Sequence, residues 1–133
     1  MSKGHEKYYE RHEQRRSVLE KLYEMDIHGT FYQSPMEAPF ANALLKGVTA
    51  NIDAIDTIIG EHLFGYTLKR LNTVDRAILR IATYELEYTG TPSEIIIDEA
   101  LELTHVFSDE GDRKHVSFNN RVLENIKKTL REA

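Results

Sequence analysis

The segment Leu71–Leu103, LNTVDRAILRIATYELEYTGTPSEIIIDEALEL, constrains the fold more than any other part of the chain. Its spacing predicts a helix from about Thr73 to Tyr88, a turn, and a second amphipathic helix. Arg76, Arg80, Thr83 and Glu87 recur at helical spacing as a polar stripe, and Val74, Ile78, Ile81 and Ala82 fill the apolar side. The second helix opens at Thr91-Pro92-Ser93-Glu94, where Thr91 is placed to cap, Pro92 suits the first helical position and Glu94 can reach back to the cap. Two features exceed what a packing helix needs. The stripe carries arginines, and Glu85 falls on the apolar side. A carboxylate there must be paired within the fold, used as a cap, or placed at an interface. Arg76 and Arg80 form either a solvated stripe or one that faces a partner.

The rest of the chain is also helical in pattern. Helices are predicted at about Glu6–Ile27, Met36–Leu63, Thr73–Tyr88, from Thr91 toward Phe107, and at about Arg113–Arg131, with an irregular helical turn at Tyr66–Leu71. Val18, Leu19, Leu22, Tyr23 and Met25 are the core positions of the first helix. Phe40, Leu44, Val48, Ile52, Ile55, Ile59 and Leu63 are those of the long second one. Pro39 belongs in its first turn, and Gly47 on its flank allows a close helix approach. The isoleucine triplet Ile95–Ile97 imitates a strand, but the spacing of Ile96, Ala100, Leu103 and Phe107 favours helix. The reading is an all-α single domain over residues 1–133, with an N-terminal helical half of about 1–64 and a C-terminal half of about 65–133.

Composition narrows the function. With 133 residues, one domain with a real core is expected. There is no cysteine, which excludes disulfides, thiolate catalysis and cysteine zinc sites. No apolar run reaches the roughly 18 residues of a membrane span, and the charged N-terminus does not read as a secretory signal. A cytoplasmic protein without a membrane partner is therefore expected. Six histidines are scattered without zinc-protease spacing. Asp98, Glu102 and His105 share a helical face and have metal-ligand chemistry, but such faces are commonly solvated. No phosphate-binding glycine loop and no nucleophile with a recognisable base is present, so no active site is expected.

The net charge of −5 argues against indiscriminate coating of nucleic acid. The distribution is more telling. Residues 81–112 hold nine acids and no lysine or arginine, whereas 113–131 hold six basic residues and one acid. Lys7, Arg11, Arg15, Arg16 and Lys21 lie on the first helix near Tyr8 and Tyr9. Cations beside aromatics suit single-stranded RNA, although Glu6, Glu10, Glu13 and Glu20 are interleaved and an exposed helix laced with local ion pairs would look the same.

Four stretches carry a family resemblance. VDRAILRIATYEL (74–86) is similar to the signature helix of the NusB family of bacterial transcription antitermination factors. Pro92 and IIIDEALEL (95–103) resemble that family's next helix. Arg15-Arg16 followed by Leu22-Tyr23 resembles its basic first helix, and FNNRVLE (118–124) resembles its F-V-N-G-V-L-D run. The resemblance implies two packed helical subdomains and no enzymatic activity; no cofactor is expected. It also implies binding of boxA RNA in nascent ribosomal transcripts, as a heterodimer with NusE, a small-subunit ribosomal protein, within an RNA polymerase antitermination complex. Carried over by position, Lys7, Arg11, Arg15, Arg16 and Lys114 would contact RNA. Tyr23, Arg76, Arg80, Glu85, Asp112 and Phe118 would lie at or near the NusE surface. His12 and Glu13 dilute the basic run, and Arg121 stands where the family usually has glycine. The dilution motivates a second reading, a helical interaction module of the same fold with weak or lost RNA recognition. An apolar helix face leaves open whether NusE or a second copy of the chain covers it.

Overall fold

The computed structural model describes the backbone of residues 3–132 and the side chains of residues 10–132. Six helices follow in order: α1 (Lys3–His28), α2 (Pro39–Ala50), α3 (Ile52–Glu61), α4 (Thr73–Tyr88), α5 (Ser93–Phe107) and α6 (Lys114–Arg131), with a 3₁₀ turn at Leu68–Arg70 before α4. No strand occurs among the described residues. Helix α4 is the axis of the fold and packs against each of the other five helices.

Its position follows from its composition. Asn72 caps it by accepting from the Asp75 N–H at 2.7 Å. From Asp75 to Leu86 every residue except Arg76 and Tyr84 is buried. Of the polar stripe, Arg80 and Thr83 are therefore enclosed and Arg76 is partly buried, whereas Glu87 is exposed. Ala77, Ile78, Leu79, Ile81, Ala82 and Leu86 join Val18, Leu22 and Met25 of α1, Leu44, Leu45 and Val48 of α2, Ile55 and Ile59 of α3, Ile96, Ile97, Ala100 and Leu103 of α5, and Val122, Leu123 and Ile126 of α6 in one apolar cluster. Tyr23, expected in the core, is 43% exposed instead.

The expected helix Met36–Leu63 is two helices. Asn51 leaves helical geometry (φ −117°, ψ 22°). Its side chain donates to the Gly47 carbonyl at 2.8 Å, and its own carbonyl accepts from Ile55 to start α3. A short polar side chain that competes for backbone groups breaks the helix without disturbing the apolar spacing. Pro39 does occupy the first turn of α2, and the side chain of Gln14 on α1 accepts from the Ala41 N–H at 2.8 Å. Gly47 is the close approach the spacing predicts, since a Cβ there would fall 2.2 Å from the Tyr84 ring of α4.

The α4–α5 reversal also differs from its sequence pattern. Thr91 does not cap α5. The Pro92 carbonyl accepts from Ile95 and Ile96 (3.1 Å each), and no side chain caps this end. Arg131 of α6 organises the turn instead. Its guanidinium donates to the carbonyls of Glu85 (3.0 Å), Leu86 (2.9 Å), Thr89 (2.9 Å) and Thr91 (2.6 Å), and to Ser93 Oγ (3.0 Å). It thus places a cation on the carbonyls at the end of α4 and in the turn that follows, where the helix dipole favours one. Arg131→Ala is expected to lower stability by about 2–4 kcal/mol, since charged hydrogen bonds contribute about 1.5–3 kcal/mol each and do not add fully. Arg131→Lys should recover little, because an ammonium cannot span the fork. Urea unfolding of the three proteins measures both.

Candidate nucleic-acid and partner interface

Each buried charged group of α4 has its partner on another element of the fold. Glu85 receives a two-pronged bond from Arg15 of α1 (Nε to Oε2 2.9 Å, Nη2 to Oε1 2.8 Å), and both side chains are 2% exposed. Arg80 forks onto Asp56 of α3 (2.8 and 2.9 Å), reaches Asp26 of α1 (3.0 Å) and lies 4.8 Å from the centre of the Phe31 ring. Burial opposes the Arg80 charge, but the hydrogen bond and charge of Asp56, with the charge of Asp26, outweigh it and push its pKa up. Arg76 shares Asp26 (2.9 Å) and donates to the Leu71 and Lys69 carbonyls, which ties the 3₁₀ turn to α4. Four expected placements change as a result. Arg15 is not a surface cation available to RNA. Arg80 and Glu85 are internal struts and present no docking surface, and Arg76 is largely engaged within the fold.

On α1 the outward cations are held locally. Arg16, with its side chain 40% exposed, donates to Glu13 (2.9 and 3.2 Å) and Glu20 (2.9 Å). Arg11 lies over the Phe40 ring at 4.9 Å, and Arg15 approaches the same ring at 5.0 Å. His12 Nδ1 meets the buried Glu99 of α5 at 2.5 Å. The expected contact Lys7 lies outside the residues whose side chains are described. Exposed pairs such as those of Arg16 contribute only about 0–1 kcal/mol, so a phosphate can displace them. On α5, Asp98, Glu102 and His105 are exposed, and His105 pairs with Asp109 at 3.4 Å.

Two grooves flank the start of α4. One, of about 240 Å³, is lined by Leu19, Glu20, Tyr23, Val74 and Phe107 and is mostly apolar. Tyr23 and Phe107 are 43% and 42% exposed at its rim. The other, of about 690 Å³, lies between the 3₁₀ turn, α4 and the start of α6. Arg70, Arg113, Lys114, His115 and Arg121 line it, with Tyr66, Phe118, Asp75 and Asp112. The Lys114 side chain is 84% exposed and 3.8 Å from Asp112. Arg70, Arg113 and Arg121 form no side-chain ion pair among the described residues. Asp112 and Phe118, expected with Tyr23, line this basic groove and not the apolar one. Val74 and Asp75 are consecutive, so the two grooves lie on neighbouring faces of the start of α4. Phe107, Val74, Tyr66, Arg70, Arg113 and Arg121 were not among the expected contacts. Arg121 alone carried a signal, its departure from the family's glycine.

Asp75 lines the basic groove and is 3% exposed. It accepts from His115 (2.6 Å), Ser108 (2.8 Å) and Asn119 (3.1 Å), which joins α4 to the end of α5 and the start of α6. The hydrogen bond that His115 donates to Asp75 raises the His115 pKa against the opposing effect of partial burial, and the charges of Asp75, Glu110 and Asp112 add to it. A raised folded-state pKa gives a stabilisation that is full below the unfolded value of about 6.5 and is lost as pH rises through the folded value. His115→Gln is therefore expected to cost more stability at pH 6 than at pH 9. Urea midpoints of both proteins across that range should show the gap closing with rising pH.

The profile of the NusB family matches residues 7–128. The transcription antitermination protein NusB of Pediococcus pentosaceus is 46% identical over 99 residues, covering 74% of this chain and 72% of that protein. The protein of the same name from Bacillus cereus (strain B4264) is 37% identical and covers 87% of this chain and 95% of its own length. Among solved structures, T. maritima NusB superposes with a TM-score of 0.76 at 28% identity, covering 89% of this chain and 90% of that one. A crystal structure of the antitermination factors NusB and NusE with double-stranded RNA contains a chain that matches with a TM-score of 0.76 at 25% identity, covering 92% of this chain and 98% of that one. Family profile, relatives and fold agree over most of the length: the chain belongs to the NusB family.

Proposed function

We infer that this chain is a transcription antitermination factor that binds RNA together with NusE. The observation that carries the reading is the pair of adjoining grooves at the start of α4, one apolar and rimmed by Tyr23 and Phe107, the other cationic and lined by Lys114 and three arginines. A protein partner seated in the first would extend the surface of the second, which suits joint binding of RNA. Membership of the NusB family and the fold shared with the NusB chain of the NusE–RNA complex support the same assignment.

Within this reading the RNA is a boxA-type element of a nascent transcript, and the complex acts on RNA polymerase. Arg11, Arg16, Lys7 and Lys114 serve as phosphate contacts, joined by Arg70, Arg113 and Arg121. Tyr23 and Phe107 anchor NusE. Arg15 acts indirectly, by fixing α1 on α4 through Glu85. The protein works by binding and not by catalysis. No helix among the described residues is long and apolar enough to cross a membrane, which suits a cytoplasmic site of action. A second reading, a protein-interaction module with weak RNA recognition, draws support from the local pairing of Arg16 with Glu13 and Glu20.

Binding of a boxA-type oligomer, titrated against salt with and without NusE, separates the two. We expect affinity to rise with NusE and to fall steeply with salt. Lys114→Gln should reduce the salt slope by about 0.7, as for one lost phosphate contact on a single strand. Tyr23→Ala should weaken NusE binding at least tenfold, as for an aromatic anchor, and leave RNA binding by the chain alone unchanged. RNA-independent NusE binding together with no salt-dependent RNA affinity would favour the interaction module.

A further inference from the structure

We propose that the cationic groove holds an unpaired nucleotide of the RNA, with its base laid against Tyr66 and the flanking phosphates held by Arg70 and Arg121. This rests on the RNA-binding reading above and specifies which form of RNA the groove selects.

Tyr66 is 55% exposed, although an aromatic ring ordinarily gains from burial. Its ring meets Phe118 edge to face, with centroids 5.5 Å apart and planes at 79°. Phe118 is only partly buried and packs against the core. It therefore braces Tyr66 from the α6 side while half of the Tyr66 surface stays open. Gly65, at φ +81°, makes the reversal after α3 that sets Tyr66 at the groove.

Charge and size point to the same occupant. Arg70, Arg113 and Arg121 form no side-chain ion pair among the described residues, and Lys114 has only a distant contact with Asp112. This contrasts with α1, where Arg15 and Arg16 are each held by carboxylates. Of the other groups that line the groove, Asp75 is tied to His115. Cations beside an open aromatic ring match the phosphate and base of a single strand. A volume of about 690 Å³ lies within the range of small-ligand pockets, enough for a nucleotide but not for a helix. Duplex RNA cannot use Tyr66 in this way, because its base faces are already stacked.

The test uses the full chain with NusE, a boxA-type oligomer carrying a single 5-bromouridine scanned along it, and the same sequence as a duplex. Wild-type protein should favour the single strand and crosslink through Tyr66 at one register. Tyr66→Ser should weaken the single strand roughly tenfold, within the range for loss of one stacked base, and leave the duplex unchanged, while Tyr66→Phe retains binding. Arg70→Gln with Arg121→Gln should lower affinity and the salt dependence together. Wild-type affinity for the single strand in Tyr66→Ser, with no crosslink at Tyr66, overturns the proposal and leaves RNA binding intact. A loss of NusE affinity in Tyr66→Ser without RNA also overturns it, by making the groove a protein surface. Failure of the wild-type complex to bind either RNA overturns the underlying RNA-binding reading as well.

Discussion

The buried pair Arg15–Glu85 and its companions Arg76–Asp26 and Arg80–Asp26/Asp56 govern the structure, because they put ionised groups on a helix enclosed by five others. Removing a charge pair from water costs several kcal/mol per ion, and only good geometry and further hydrogen bonds repay it. Here the geometry is two-pronged at Glu85 and at Asp56. Such pairs are weak evidence of net stability, since a well-packed apolar replacement can do as well. Their physical consequence is positional. A helix sliding by one turn would leave a carboxylate or guanidinium buried without a partner, so α1 and α3 are fixed in register on α4. Asp75 and Arg131 do the same for α6 at the two ends of α4.

Function follows from where this leaves the remaining charge. Arg15 and Arg80 are consumed inside the fold, and Arg16 is neutralised locally. Cations without close carboxylates collect at the groove between the 3₁₀ turn and α6. On α5 the exposed Glu94, Asp98 and Glu102 lie on a helix without a lysine or arginine. A polyanion is therefore repelled from that face and drawn to one end of the molecule, even though the net charge is −5. The apolar groove with Tyr23 and Phe107 lies at the same end, across Val74 and Asp75, so a protein partner and an RNA strand would meet there.

Much of this fold was legible in the sequence. The span Thr73–Tyr88, the placement of Pro39 and the close approach at Gly47 follow from local spacing and sterics. The all-α class follows from periodicity. The break at Asn51 was hidden because apolar spacing continues across it. The expected cap at Thr91 does not form: α5 starts from the Pro92 carbonyl, and Arg131, 40 residues later, holds the Thr91 carbonyl. The same limit explains the site. Spacing identified Arg76, Arg80 and Glu85 as groups in need of partners. It could not show that Asp26, Asp56 and Arg15, which lie 24 to 70 positions away, were those partners. A resemblance carried over by position gave Arg15 an outward role that its burial denies. The basic groove was missed because Arg70 of the 3₁₀ turn joins Arg113, Lys114 and Arg121 at the start of α6 only in the folded chain.

The most direct test of the account is to replace Arg15 by Met and Glu85 by Leu, singly and together, and to measure stability in urea and RNA affinity under conditions where each protein is folded. Each single change should cost about 3–5 kcal/mol by leaving a buried charge unpaired. The double replacement should recover most of that loss and retain RNA binding. An Arg15→Met protein that is as stable as the wild type but has lost its RNA affinity would contradict the account and return Arg15 to the RNA surface.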